Sequence, residues 1–117
     1  MVGHTGNFEA TVKACEATDR CLQQLANMTK ELNGILVVLS DHGNADMMFT
    51  QQNGQKVVHT AHTLNPVPFG IYDPLYQNEY TLSPLETPGL ANVASTLCHL
   101  LGFQPPDDYE PSLILFN

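Results

Sequence analysis

Positive charge is scarce in this chain. Its 117 residues hold 4 Lys and Arg against 12 Asp and Glu, a formal net charge of −8 with neutral histidine. So few cations cannot build the basic stripe that counterion release requires, which excludes nucleic acid as a partner. The same deficit excludes an anionic membrane surface. Long hydrophobic runs are missing too: the longest, Ile35 to Leu39, falls far short of the ~20 apolar residues that cross a bilayer. The opening residues, Met1 to Asn7, contain neither a basic stretch nor an apolar one, so no secretory signal is expected. Cysteine is sparse and odd in number, with 3 in all. Cys15 and Cys21 would lie about 240° apart around a helix, so reduced thiols and a cytoplasmic location are expected. Charged residues make up 14%, against roughly 25% in a typical soluble domain. No repeat, low-complexity tract or linker divides residues 1–117, and the length fits one domain.

What is present reads as alternating helix and strand. Asn7 can cap a helix whose apolar stripe is Phe8, Val12, Cys15, Leu22, Leu25 and Leu32. Asn33-Gly34 closes it with residues that tolerate a left-handed backbone. Ile35-Leu36-Val37-Val38-Leu39 follows as a β-branched, uninterrupted run, which predicts a strand buried on both faces. Asn53-Gly54 between Phe49 and Val57-Val58 predicts a hairpin. Asn65-Pro66-Val67-Pro68 is extended by proline restriction and leads into a second buried strand, Phe69 to Tyr72. Asp73 to Pro84 reads as loop. Thr87-Pro88 reads as an N-cap with proline in the first turn of a helix bearing Leu90, Val93, Ala94, Leu97 and Leu101, closed by Gly102. Leu113-Ile114-Leu115-Phe116 has no evident partner. The layout is α/β. A continuous apolar strand needs neighbours on both edges and helices on both faces, more than this chain offers. It therefore reads as part of a larger sheet, with an exposed apolar edge and self-association as the natural remedy.

Chemistry concentrates in the loops. His4 sits in Gly3-His4-Thr5-Gly6, His42 in Asp41-His42-Gly43-Asn44, and His59 and His62 in His59-Thr60-Ala61-His62-Thr63. Asp41-His42 directly follows the buried strand, at the carboxyl end where ligands bind in open α/β sheets. The pair can offer one oxygen and one nitrogen to a divalent metal; it can equally be a turn-capping Asp beside a His held by backbone bonds. His59 and His62 can point one way if their loop turns, or can both be solvated. His99, on a helix, reads as structural or surface. The cysteines read as small apolar residues, Met47 and Met48 as packing, and Asp19, Asp46, Asp107 and Asp108 as solvated. Three loops that each bring histidine with small polar neighbours suit Mn²⁺ or Zn²⁺. Two such ions can activate a nucleophile and stabilise a transferring phosphoryl group.

Three strings carry a resemblance: Met1-Val2-Gly3-His4-Thr5-Gly6-Asn7, Ser40-Asp41-His42-Gly43-Asn44-Ala45-Asp46, and His59-Thr60-Ala61-His62-Thr63-Leu64-Asn65-Pro66-Val67-Pro68. Together they resemble the C-terminal part of cofactor-independent (2,3-bisphosphoglycerate-independent) phosphoglycerate mutases, of the alkaline phosphatase superfamily. Asp-His-Gly-Asn is shared with other phosphatases, whereas the His-Thr-x-His-Thr-x-Asn-Pro-Val-Pro string is specific to the mutases. Ala91 to Gly102, Pro105 and Ser112-Leu113 resemble the family's closing segment. The resemblance implies a partial alkaline-phosphatase-like three-layer sheet with helices on both faces. It implies a glycolytic isomerase that interconverts 3- and 2-phosphoglycerate through a phosphoserine with two divalent metals, usually Mn²⁺, with Mg²⁺, Co²⁺ or Zn²⁺ as alternatives. By the same resemblance His4 and His62 ligate one metal, Asp41 and His42 the other, and His59 orients its neighbours.

The departures set a second group of expectations. The family's nucleophilic serine and its inserted substrate-binding domain have no counterpart here, and Ser40 belongs to the metal motif. An aspartate ligand is expected immediately before Met1, as if reading had begun at an internal methionine. The expectation is a C-terminal fragment, inactive alone, that pairs with a missing N-terminal portion or with itself. The alternative is a non-catalytic metal-binding or assembly module derived from that family.

Overall fold

The computed structural model describes Val2 to Asn117; Met1, which opens the first of the three strings, lies outside the described residues. The chain forms two compact units, Met1–Pro74 and Leu75–Asn117. Both mix helix and strand, as an α/β chain should. Among the described residues the strands pair in three two-stranded sheets, all antiparallel.

In the first unit, helix α1 spans Phe8–Glu31. Asn7 starts it as expected: its extended backbone leaves the side chain free to accept the Ala10 N–H at 2.9 Å. Asn33 ends it, with φ 53°. Its N–H donates to the Lys30 carbonyl and the Gly34 N–H to the Thr29 carbonyl, so the last carbonyls of the helix find donors. The apolar stripe is present but largely uncovered: Phe8 is 66%, Leu25 53% and Leu32 75% exposed. Cys15 and Cys21 are exposed free thiols.

Strand β1 is Leu36–Leu39. It packs against α1 and pairs with β4, Phe69–Tyr72. The expected burial on both faces is not reached. Leu36, Val37 and Val38 are half-buried and Leu39 is exposed, because β1 has a single hydrogen-bonded neighbour. The hairpin is where Asn53-Gly54 places it. β2, Phe49–Gln52, and β3, Gln55–Val58, are joined by two residues with φ of 50° and 77°, the left-handed pair that matches strand twist. Met48 is buried here, while Met47 stands 40% exposed.

The second unit corrects two readings. Asp73 to Pro84 is not all loop, since Tyr80–Leu82 forms β5. Its partner is the tail, where Ile114–Phe116 forms β6. Neither has the length or alternation that marks a strand on its own. Helix α2, Val93–Leu100, also starts later than Thr87-Pro88 predicts. A short 3-10 turn, Leu90–Asn92, precedes it, and the Asn92 side chain accepts the Gly89 N–H at 2.8 Å. Gly102, at φ 80°, closes α2 with the same pair of bonds that ends α1.

Polar side chains fill the centre of this unit. Ser95, Thr96 and Ile114 are fully buried. The Thr96 hydroxyl donates to the Asn92 carbonyl at 2.7 Å and accepts the Leu113 N–H at 2.8 Å. Asn92 Nδ2 donates to the Pro111 carbonyl at 2.7 Å, the Ser95 hydroxyl to the Glu110 carbonyl, and Ser112 Oγ accepts the Ile114 N–H at 3.1 Å. The tail is held on α2 by these side chains, while His99 Nδ1 on the same helix is buried without a partner.

Candidate metal centre

The candidate residues lie in the first unit, on three loops. His4 belongs to a 3-10 turn, Val2–Thr5. Asp41 and His42 follow the end of β1, and His62 follows β3 and precedes the proline segment. These loops converge. The rings of His42 and His62 stack with centroids 3.5 Å apart and planes 9° from parallel, and those of His4 and His62 lie 5.3 Å apart.

Backbone contacts set the meeting. Gly43 and Thr63 form an isolated antiparallel bridge, with the Thr63 N–H donating to the Gly43 carbonyl at 2.9 Å. Glycine is required there: a Cβ would sit 2.0 Å from Thr63 Oγ1 and 2.7 Å from Asp46 Oδ1. Gly3 is similarly pressed, since a Cβ would meet Asn44 Oδ1 at 2.0 Å.

Hydrogen bonds then fix which ring atoms are free. His42 Nδ1 faces the Gly43 carbonyl at 3.1 Å. A carbonyl only accepts, so Nδ1 carries the proton and Nε2 of the neutral ring keeps its lone pair. That Nε2 lies 3.6 Å from Asp41 Oδ1. Two donors on one tetrahedral ion at 2.0–2.1 Å stand about 3.4 Å apart, so Asp41 and His42 fit a shared cation. Asn44 Nδ2 lies 3.2 Å from His4 Nε2 and 3.3 Å from Nδ1, engaging the ring that the resemblance makes a ligand. Among the described residues no three His, Cys, Asp or Glu side chains form a group able to hold one ion. Stacked rings explain this in part: lone pairs lie in the ring planes, and parallel planes do not aim them at a common point.

Asp46, expected to be merely solvated, is engaged. Its Oδ2 accepts from Thr63 Oγ1 at 2.8 Å and from Asn65 Nδ2 at 2.6 Å. The Asn65 bond first, then the Thr63 bond, holds its carboxyl below the ordinary value. Spacing offered no signal for this pairing, because the partners stand 17 and 19 positions downstream. His59 is half-buried and its Nε2 has no partner. His99 lies in the second unit, edge-on to Phe116 at 6.2 Å.

No helix among the described residues is long and apolar enough to cross a membrane. Residues 1–105 match the Metalloenzyme superfamily. The chain is 45% identical to a probable 2,3-bisphosphoglycerate-independent phosphoglycerate mutase of Leptospira interrogans and 47% identical to such a mutase, number 1, of Arabidopsis thaliana. In each case 97% of this chain is matched, over 22% of the relative. A crystal structure of Leishmania mexicana phosphoglycerate mutase at low cobalt concentration is similar over 100% of this chain and 23% of that one, at 40% identity and a TM-score of 0.91. The α/β architecture is thus shared with a phosphoglycerate mutase, and the chain spans about a fifth of the length of the curated relatives it matches. By the match across its motifs, the chain belongs to the Metalloenzyme superfamily.

Proposed function

We propose that this chain is the C-terminal part of a 2,3-bisphosphoglycerate-independent phosphoglycerate mutase and supplies ligands to its two-metal site. The observation that carries the reading is the convergence of His4, His42 and His62 from three loops, with Asp41 beside His42. Asp41 and His42 would hold one divalent cation, and His4 and His62 would contribute to the other. Bound there, Mn²⁺ (or Co²⁺, Mg²⁺ or Zn²⁺) supplies the positive charge that activates a nucleophile and stabilises a transferring phosphoryl group. The chain's own residues prepare that place. The Gly43 carbonyl holds the proton on His42 Nδ1, and Asn44 and Asp46 hold the flanking loops.

In this reading the substrate of the whole enzyme is phosphoglycerate, and the reaction is its glycolytic isomerisation in the cytoplasm. The serine that carries the phosphoryl group lies in the portion that precedes this segment. That portion, or a second copy of this chain, would cover Phe8, Leu25, Met28 and Leu32. A coupled mutase assay with Mn²⁺ tests the division of labour. The 117-residue chain alone should show no turnover, and mixing it with the remaining portion should restore it. Calorimetric titration with Mn²⁺ tests the ligands. Wild type should bind, more weakly on acidification as the imidazoles protonate, and His42→Ala and His62→Ala should each lose binding. Equal, negligible binding by all three chains would overturn the metal assignment, and binding with no complementation would favour a non-catalytic module.

A further inference from the structure

One backbone bridge is too little to keep two loops in register, since a single hydrogen bond contributes only about 1 kcal/mol net. The Gly43–Thr63 bridge does not stand alone. Asp46 reaches over from the same loop as His42 and accepts from both Thr63 and Asn65, the first of which directly follows His62. Thr63 is buried, and its hydroxyl and the Asp46 carboxylate close around Gly43 so tightly that no Cβ fits between them. These are independent observations of one clasp: a bridge, two side-chain bonds, and a glycine with no room to change.

We propose that Asp46 is the positioning residue that holds the His62 loop against His42, acting through Thr63 and Asn65. A carboxylate suits this place because both its oxygens only accept, so the two incoming donors meet an acceptor whichever oxygen faces them. Charge strengthens both bonds. The loop from Asp41 to Asp46 thereby becomes the hub of the cluster. It bears Asp41 and His42, touches the His4 ring through Asn44, and fixes His62 through Asp46. Asp46 touches no reacting group in this scheme; it acts by placing a ring.

The consequence for metal affinity rests on the proposed function; the placement of the rings does not. Two readouts on the 117-residue chain keep them apart. In proton NMR with labelled histidine, wild type should give a cross-peak between the His42 and His62 rings. Asp46→Ala and Thr63→Val should lose it, Asp46→Asn should weaken it, and Thr63→Ser, which keeps the hydroxyl, should retain it. Cross-strand contacts between β1 and β4 should persist throughout, which shows that each variant folds. In titrations with Co²⁺ followed by visible absorbance, Asp46→Ala and Thr63→Val should raise Kd at least 10-fold, the usual scale for groups that orient ligands. Thr63→Ser should stay within a few-fold of wild type. A full-strength ring cross-peak in both Asp46→Ala and Thr63→Val would overturn the proposal. Absence of Co²⁺ binding by every chain, with the cross-peak pattern as expected, would instead refute the metal reading and leave the positioning role supported.

Discussion

The two units use their polar side chains in different ways. Around α2 the chain buries Ser95, Thr96, Asn92 and Ser112 and satisfies them internally, tying the tail to the helix. Around α1 it spends its polar groups on joining loops near the surface, while large apolar side chains stand uncovered in both units, Phe8, Leu25 and Leu32 in the first and Leu82, Leu101 and Phe103 in the second. The difference lies in where the polar side chains are placed, buried in the one and joining surface loops in the other. A buried network that is fully bonded specifies a single arrangement. Loops joined by side-chain bonds bring a cluster of imidazoles together instead.

That contrast can be broken by substitution. The largest effect is expected for Ile114→Ala, which empties a fully buried site and should cost about 3 kcal/mol, read as faster amide exchange at Leu113 and Ile114. Thr96→Val removes the acceptor of the Leu113 N–H and the donor to Asn92. It should cost about 2 kcal/mol by the same measurement. Gly43→Ala should cost about 1–2 kcal/mol by overpacking, and its damage should appear as shifted His42 and His62 resonances while α2 stays unperturbed. Leu25→Ser, on the open face, should change urea stability by less than about 0.5 kcal/mol. Its effect should appear in sedimentation, as weaker association; an equally large loss of stability would erase the contrast between the units.

The smallest effect concerns pH. Asp46 has its carboxyl held below 3.8 in the folded chain by Asn65 and Thr63. A depressed folded value means that its contribution is fully present above 3.8 and fades as pH falls through the lower folded value. Carboxylate carbon shifts should show Asp46 titrating below the usual range, and Thr63→Val should return it upward.

Elements with local causes were legible. Asn7, Asn33-Gly34, Asn53-Gly54 and Gly102 each act through their own backbone or the next turn, so their roles can be read where they stand. The histidine loops were legible through motif rather than periodicity. What escaped depends on distance along the chain. Tyr80–Leu82 and Ile114–Phe116 are strands only because they find each other. Thr87-Pro88 carries the signs of a helix start, yet the Asn92 side chain bonded to Gly89 sets a 3-10 turn at Leu90, and α2 begins only at Val93. Asp46 looked like any surface acid because its two donors come from another loop. The degree of burial of β1 depended on neighbours that its own residues cannot specify.

The Gly43–Thr63 bridge acts together with the Asp46 bonds to Thr63 and Asn65. Together they pin the two ends of the excursion that carries the β2–β3 hairpin, so the stretch between them returns to the same place whatever its length. Lengthening such a closed stretch is inexpensive, about 0.6 kcal/mol for each doubling. Insertions at the Asn53-Gly54 tip should therefore leave the histidine rings where they are, and that tip is the natural place to graft a tag or a reporter.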